Sequence, residues 1–250
     1  MNVFHACNHL IEQLPSVRGS LKADFDIGRL TWFGVDGKAE VMFEPADQED
    51  LQLFLKNLPG NINLTVLGGG SNLIIRDGGI PGVTIRLGRP FSKIVSNDYR
   101  ITALAGAMNI TIARKARDKK IGGLEFLSGI PGSVGGAVRM NAGAYKTEIQ
   151  EVLIGVTALD RHGKLHKVPA IELGFSYRHC DSPDDWIFLS AQLQGRQEQS
   201  DVIITRMKEI SEARENSQPI RKRTGGSTFK NPEGHRAWQL IDAAGCRGLR

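Results

Sequence analysis

Cysteine is scarce in this chain. Cys7, Cys180 and Cys246 stand far apart and are odd in number, which excludes a disulfide framework and any Cys-x-x-Cys metal or redox motif. A reducing cytoplasm is the compartment such usage fits. Aromatic residues make up only 6% of the sequence and do not interleave with the basic ones, even near the densest basic run, Arg221-Lys222-Arg223. Platforms for base stacking are therefore missing, and nucleic acid is not an expected partner. No apolar run approaches about 18 residues, so no membrane span is expected. The opening "MNVFHACNHLIEQLP" has no long apolar core and carries Glu12 inside its apolar stretch, unlike a secretory leader. His162 and His166 flank a predicted turn without a third ligand, so no metal site is expected.

What remains is a chain of 250 residues with a net charge of +5, a size that suits one large domain or two unequal ones. The positive charge permits an anionic partner, and a phosphorylated small molecule satisfies it as well as a polymer would. Glycine is plentiful, with 29 residues, and it is clustered.

Apolar periodicity predicts a short helix over 3–14, a strand over 39–45 and a helix over 46–60. Two β-rich runs surround the glycines of "INLTVLGGGSNLIIRDGG", and strands are predicted over 82–87 and 100–106. A helix over 109–123 has Asn109 as its N-cap and Gly122 as its stop. Residues 151–169 read as a hairpin turning at "DRHGK", and 185–195 as another strand. From about residue 197 the character changes to a long polar helix starting at Ser200. Many short strands with a few helices argue α+β rather than regular βαβ alternation.

Four stretches carry chemistry. In "LGGGSN", Gly68, Gly69 and Gly70 follow a strand directly and lead into Ser71 and Asn72. Successive N–H groups in such a turn form a nest for phosphate oxygens, although a plain tight turn would also use them. Leu73 occupies the place where G-x-G-x-x-G needs its last glycine, and no Gly-Lys-Ser/Thr follows, so neither the dinucleotide fingerprint nor a P-loop is present. The second stretch, "LEFLSGIPGSVGGAVRMNAGAY", spaces Gly129, Gly132, Gly135, Gly136 and Gly143 among small residues, with Ser133 and Asn141 as hydrogen-bonding groups. It suits either a flat ligand lying along the chain or close helix–strand packing; two such stretches together favour a dinucleotide-type cofactor. In "GFSYRHC", Arg178 offers a planar fork for a carboxylate or enolate, or it is an ordinary surface arginine. In "RTGGSTFKNP", Ser227 has no G-x-S-x-G elbow and no triad partners. By itself it reads as a loop serine, or as a hydroxyl able to give a proton to a carbanion-like centre.

Taken in order, "TWFGVDGKAEVMFEP", "LGGGSNLIIRDGGIPGVTIRL", "GLEFLSGIPGSVGGAVRMNAGAY", "GFSYRHC", "GGSTFKNP" and "AWQLIDAAGCRGLR" resemble the UDP-N-acetylenolpyruvoylglucosamine reductases along nearly the whole chain. The resemblance implies an α+β fold: a lead-in over 1–27, a FAD-binding domain of the vanillyl-alcohol-oxidase (PCMH) type over 28–196, and a C-terminally incomplete α+β substrate-binding domain over 197–250. By that resemblance FAD is held by Gly68, Gly69, Gly70, Ser71, Asn72, Gly129, Pro131, Gly132, Ser133, Gly136, Asn141 and Gly143. NADPH is the hydride donor and UDP-N-acetylglucosamine enolpyruvate the substrate, met by Tyr177, Arg178, Lys230 and Asn231. Arg178 matches the arginine that stabilises the enolate, and Ser227 the serine that protonates it. The short spacing between these two resembles the family branch without an extra tyrosine-bearing loop. Asp36 stands where the family usually has glycine. The family runs on past "CRGLR" into a tail carrying a further glutamate, a role no residue here matches. A flavin-binding module without turnover is therefore the second expectation. No oligomeric state is read from the sequence.

Overall fold

The computed structural model describes residues 10–217 and 229–249. Of the helix expected over 3–14, positions 10–12 are helical and 3–9 lie outside the described residues.

The first sheet begins with β1 (Ser20–Asp26) and β2 (Lys38–Glu44), which pair antiparallel; α1 (Gln48–Asn57) leads on to β3 (Leu64–Leu67) and β4 (Ile80–Arg86), parallel to each other. The strand order is β1-β2-β4-β3, so β2 lies inside the sheet and is covered on both faces. A register irregularity between Ala39 and Val41 switches its side-chain parity. Val41 and Phe43 then enter the main core, while Ala39 and Met42 join Ile27, Leu67 and Ile75 in a smaller one. The Phe43 ring meets Phe54 of α1 at 4.3 Å between centroids. The second β-rich run expected after the glycines, 73–77, forms no strand. Ile75 is instead used as a plug for the small core, 5% exposed.

The second sheet follows from β5 (Ile94–Asn97) and β6 (Arg100–Leu104). After α2 (Asn109–Asp118) come the short β7 (Ile121–Gly122), the 3-10 turn Glu125–Gly129, α3 (Val134–Arg139), and the two-residue strands β8 (Gly143–Ala144) and β9 (Thr147–Glu148). The hairpin β10 (Leu153–Leu159) and β11 (Leu165–Pro169) and then β12 (Ile187–Gln194) complete an antiparallel sheet in the order β11-β10-β12-β6-β5. β13 (Arg196–Gln197) pairs with β7. The hairpin turn is built as expected: Asp160 accepts from the N–H groups of His162 and Lys164 and meets His166 Nε2 at 2.8 Å. Gln52 of α1 donates to Gly163 O at 2.8 Å and docks the turn on the first sheet's helix.

Two helix-end expectations fail. Met108, not Asn109, is the N-cap of α2, and no side chain caps it; the position is set by Met108 bridging Ser133 and by Asn109 N–H donating to Gly132 O. The helix ends at Asp118 with Lys120 at φ 56°, while Gly122 is free to pair with Arg196. The long helix is present as α4 (Ser200–Ser217), with Ile203 and Ile210 buried. It packs against the 125–129 turn, Arg206 reaching Glu125 and Glu198 and the Tyr145 hydroxyl donating to Ile210 O. The last helix, α5 (Ala237–Ala243), buries none of its residues.

One carboxylate joins the lead-in to this framework. Asp50, 3% exposed, accepts from the backbone N–H groups of Arg18, Gly19 and Ala46 at 2.8–2.9 Å. Burial alone would raise its pKa, but the hydrogen bonds outweigh burial and hold it below the ordinary 3.8. Asp50→Ala is therefore predicted to lower the unfolding free energy by about 1–3 kcal/mol in a urea titration near neutral pH. Because the folded pKa is the lower one, this contribution is complete above 3.8 and is lost as pH falls through the folded value. The difference between parent and variant should shrink accordingly in acid, and a difference independent of pH would show that the ionised form is not what these N–H groups hold.

Candidate functional site

Strand β3 delivers Gly68, Gly69 and Gly70, and the irregular chain ahead of α3 delivers Pro131, Gly132 and Ser133. These two loops lie backbone against backbone. A Cβ on Gly69 would stand 2.6 Å from Gly132 Cα, and one on Gly132, whose φ is +88°, would stand 2.5 Å from Ser71 Oγ. A side chain at Gly68 would meet the Ser133 hydroxyl at 2.6 Å. Only glycine allows this approach.

The loops leave polar groups without partners. The N–H groups of Gly69, Gly70, Ser71 and Asn72 donate no hydrogen bond among the described residues. Ser133 is 4% exposed and its hydroxyl has no partner, although it stands at the N-cap position of α3. Asn109 is 0% exposed, and neither atom of its amide group is bonded. Buried polar groups are ordinarily satisfied. The N–H groups of 69–72 and the Ser133 hydroxyl lie on the two loops that meet at Gly69 and Gly132, a donor-rich cradle suited to an anionic, oxygen-rich ligand such as a pyrophosphate. The chemistry required of a dinucleotide site is thus present at 69–72 and 132–133. Asn109 was read from the sequence only as a cap; no local pattern marks it, because its burial comes from packing against the 132–134 segment.

Other expected residues fall into different surroundings. Gly129 clears space for the Tyr145 ring, 2.7 Å from where its Cβ would be, and Gly143 clears space for Glu148 at 2.8 Å. Gly136 has more room, the nearest atom being Ser133 Oγ at 3.9 Å. Asn141, 1% exposed with φ 39°, commits its amide within the protein. Its Nδ2 donates to Glu148 Oε2 at 2.8 Å and to Ser176 O at 3.0 Å, and its Oδ1 accepts from Gln150 N–H.

Tyr177 and Arg178 form the tip of a tight turn. Ser176 and His179 exchange two backbone hydrogen bonds, at 3.1 and 3.0 Å, and Arg178 sits between them at φ 60°. Tyr177 is exposed and Arg178 half-buried. The Arg178 guanidinium has neither an ion pair nor a hydrogen bond among the described residues, while its backbone is held at the tip of the turn. Lys230 and Asn231 are exposed, and Asn231 Oδ1 accepts from Ala237 N–H at 3.1 Å. Ser227 lies outside the described residues.

Comparison with known proteins shows which family the chain resembles. A family profile described as "FAD binding domain" matches residues 39–169, and one described as "UDP-N-acetylenolpyruvoylglucosamine reductase, C-terminal domain" matches 218–250. The UDP-N-acetylenolpyruvoylglucosamine reductase of Parvibaculum lavamentivorans is 52% identical over 241 residues, which make up 96% of this chain and 78% of that protein. The crystal structure of the same-named reductase from Thermus caldophilus superposes with a TM-score of 0.80 at 32% identity, covering 94% of this chain and 83% of the other. Glucooligosaccharide oxidase from Acremonium strictum shares the fold at 17% identity, with a TM-score of 0.56 over 78% of this chain and 43% of its own. On these matches, and with a donor-rich cradle where the flavin-binding profile falls, the chain belongs to the FAD-dependent UDP-N-acetylenolpyruvoylglucosamine reductase family.

Proposed function

We propose that the chain reduces UDP-N-acetylglucosamine enolpyruvate to UDP-N-acetylmuramate with NADPH, a step of peptidoglycan precursor synthesis. The observation that carries this reading is the cradle at 69–72 and 132–133, whose unbonded N–H groups and buried Ser133 hydroxyl await an oxygen-rich partner. These residues would hold the FAD diphosphate, with Gly129, Pro131 and Gly136 shaping the neighbouring chain. When bound, FAD supplies a two-electron carrier between NADPH and the enolpyruvyl carbon.

The chain's own groups supply the rest. Arg178, without an ion pair among the described residues, would lie against the substrate carboxylate and the negative charge that builds up beside it; a cation already in place spends no reorganisation energy at that moment. Ser227, by resemblance, would deliver the proton, and Tyr177, Lys230 and Asn231 would contact the nucleotide sugar. We place the division between the flavin-binding part, 28–196, and the substrate-binding part, 197–250, near residue 197. No helix among the described residues is long and apolar enough to cross a membrane, and a UDP-sugar substrate favours the cytoplasm. One observation favours a second reading, a flavin-binding module that does not turn over: α5 buries no residue.

The purified chain is expected to show the visible absorption of bound flavin and to oxidise NADPH only when the enolpyruvyl substrate is present. Flavin without turnover would select the second reading, and a colourless protein unable to take up added FAD would remove both. Gly69→Val places side-chain atoms on Gly132 and is predicted to abolish the flavin spectrum while the far-ultraviolet circular dichroism stays that of the parent. Arg178→Ala should lower substrate-dependent turnover by about 10²–10³-fold with flavin reduction by NADPH unchanged. Ser227→Ala should give the same division with a loss of about 10²–10⁴-fold; normal turnover in either variant would take that residue out of the chemistry.

A further inference from the structure

The two stretches read from the sequence as separate motifs, the glycine-rich segment and "GFSYRHC", are joined by one side chain. Asn141 donates through Nδ2 to Ser176 O, the carbonyl that also closes the turn bearing Arg178, and to Glu148 Oε2. Glu148 is itself held: its Oε2 accepts from Gln150 Nε2 at 2.9 Å, and its backbone N–H donates to Glu151 Oε1 at 2.7 Å in a reciprocal cap. Asn141 Oδ1 accepts from Gln150 N–H at 3.1 Å. The amide is thus oriented by two bonds from an anchored segment, to Glu148 and from Gln150, and directed by its third at the turn.

The loop that carries Arg178 is also fastened at its base. Asp181 N–H donates to Leu173 O at 2.8 Å. Arg139, at the end of α3, binds the Ser182 hydroxyl at 2.7 Å and Trp186 O at 2.7 Å. Those contacts fix where the loop starts and ends, while Asn141 bonds directly within the four-residue turn whose third residue is Arg178. The position demands an amide. It must donate twice, to a carbonyl and a carboxylate, and accept once from an N–H; aspartate of the same shape can only accept. It must also tolerate φ 39°, a region in which asparagine is favoured among non-glycine residues.

We infer that Asn141 is a positioning residue: its Nδ2 bond to Ser176 O, held in direction by Glu148, sets the Arg178 turn in its working place against the substrate carboxylate. The inference rests on the reading of Arg178 given above. It assigns Asn141 a role toward the turn rather than toward the flavin, and it makes Glu148 part of that support.

The test uses the FAD-loaded protein and separates the two half-reactions by stopped-flow absorbance: flavin reduction by NADPH, and reoxidation of the reduced flavin by UDP-N-acetylglucosamine enolpyruvate. Asn141→Asp keeps the shape and the bond from Gln150 but removes the amide donors; the proton that two carboxyls about 2.8 Å apart would share lies between residues 141 and 148 and leaves Ser176 O without its donor. Flavin content and reduction by NADPH should match the parent, and reoxidation by substrate should fall by about 10²-fold, the cost of a catalytic group displaced by about 1 Å. Adding Glu148→Gln relieves the carboxylate pair but restores no donor to Ser176 O, so reoxidation should stay slow; recovery to the parental rate would overturn the inference. So would unchanged reoxidation in Asn141→Asp, or a loss shared equally by both half-reactions. If Asn141→Asp does not fold, Asn141→Gly, which keeps the backbone conformation and adds no charge, serves in its place with the same expected division. Arg178→Ala, run in parallel, distinguishes the failures. If it is slow and the Asn141 variant is not, the positioning role is wrong; if it is fast, the reading of Arg178 is what has failed.

Discussion

The whole arrangement depends on backbone meeting backbone without side chains between. Gly69 and Gly132 are separated by less than one Cβ can occupy, and each belongs to a loop issuing from a different part of the fold, one from β3 and one from the run into α3. Their contact makes a continuous floor of peptide groups from two segments about 60 positions apart. Peptide N–H groups turned to a ligand are fixed in direction and carry no rotamer entropy to lose, which is why glycine loops on rigid strands recur where phosphates bind.

Around that floor, polar side chains are used as fasteners in the protein's own backbone. Asp50 gathers three N–H groups from the lead-in and the entry to α1, Asp160 ties up the hairpin turn, and Arg139 grips the chain after the arginine turn. Asp50 and Arg139 do so at part-buried positions, where unpaired polar groups would cost energy to bury, whereas the groups tied by Asp160 are exposed. Asn109, Ser133 and Thr84 are left with unsatisfied side-chain atoms among the described residues, and Ser133 lies on the floor itself.

Much of this could be read from residues alone. α1, the β10–β11 hairpin and α4 follow from periodicity, and β2 and β12 from apolar runs that are buried on more than one face. The run at 73–77 has strand-like composition, but Ile75 turns into the small core and the segment joins neither sheet. The cap of α2 was displaced from Asn109 to Met108 by a bridge to Ser133, a contact invisible in the local sequence. The same holds at the site. Clustered glycines and an arginine among aromatics announce themselves, whereas the partners of Asn141 all follow it in the sequence, from 7 to 35 positions away. A window of adjacent residues contains no sign of that bond.

Strand β2 has a consequence best expressed in the exchange of amide protons with solvent. It is hydrogen-bonded on both edges and covered on both faces, so its protons can leave only when the fold opens as a whole. The N–H groups at 69–72 are the opposite case, donating no hydrogen bond among the described residues. One chain therefore carries, within about 30 residues, two clocks: occupation of the floor shields the second directly, and slows the first only through the stability that binding adds to the whole fold.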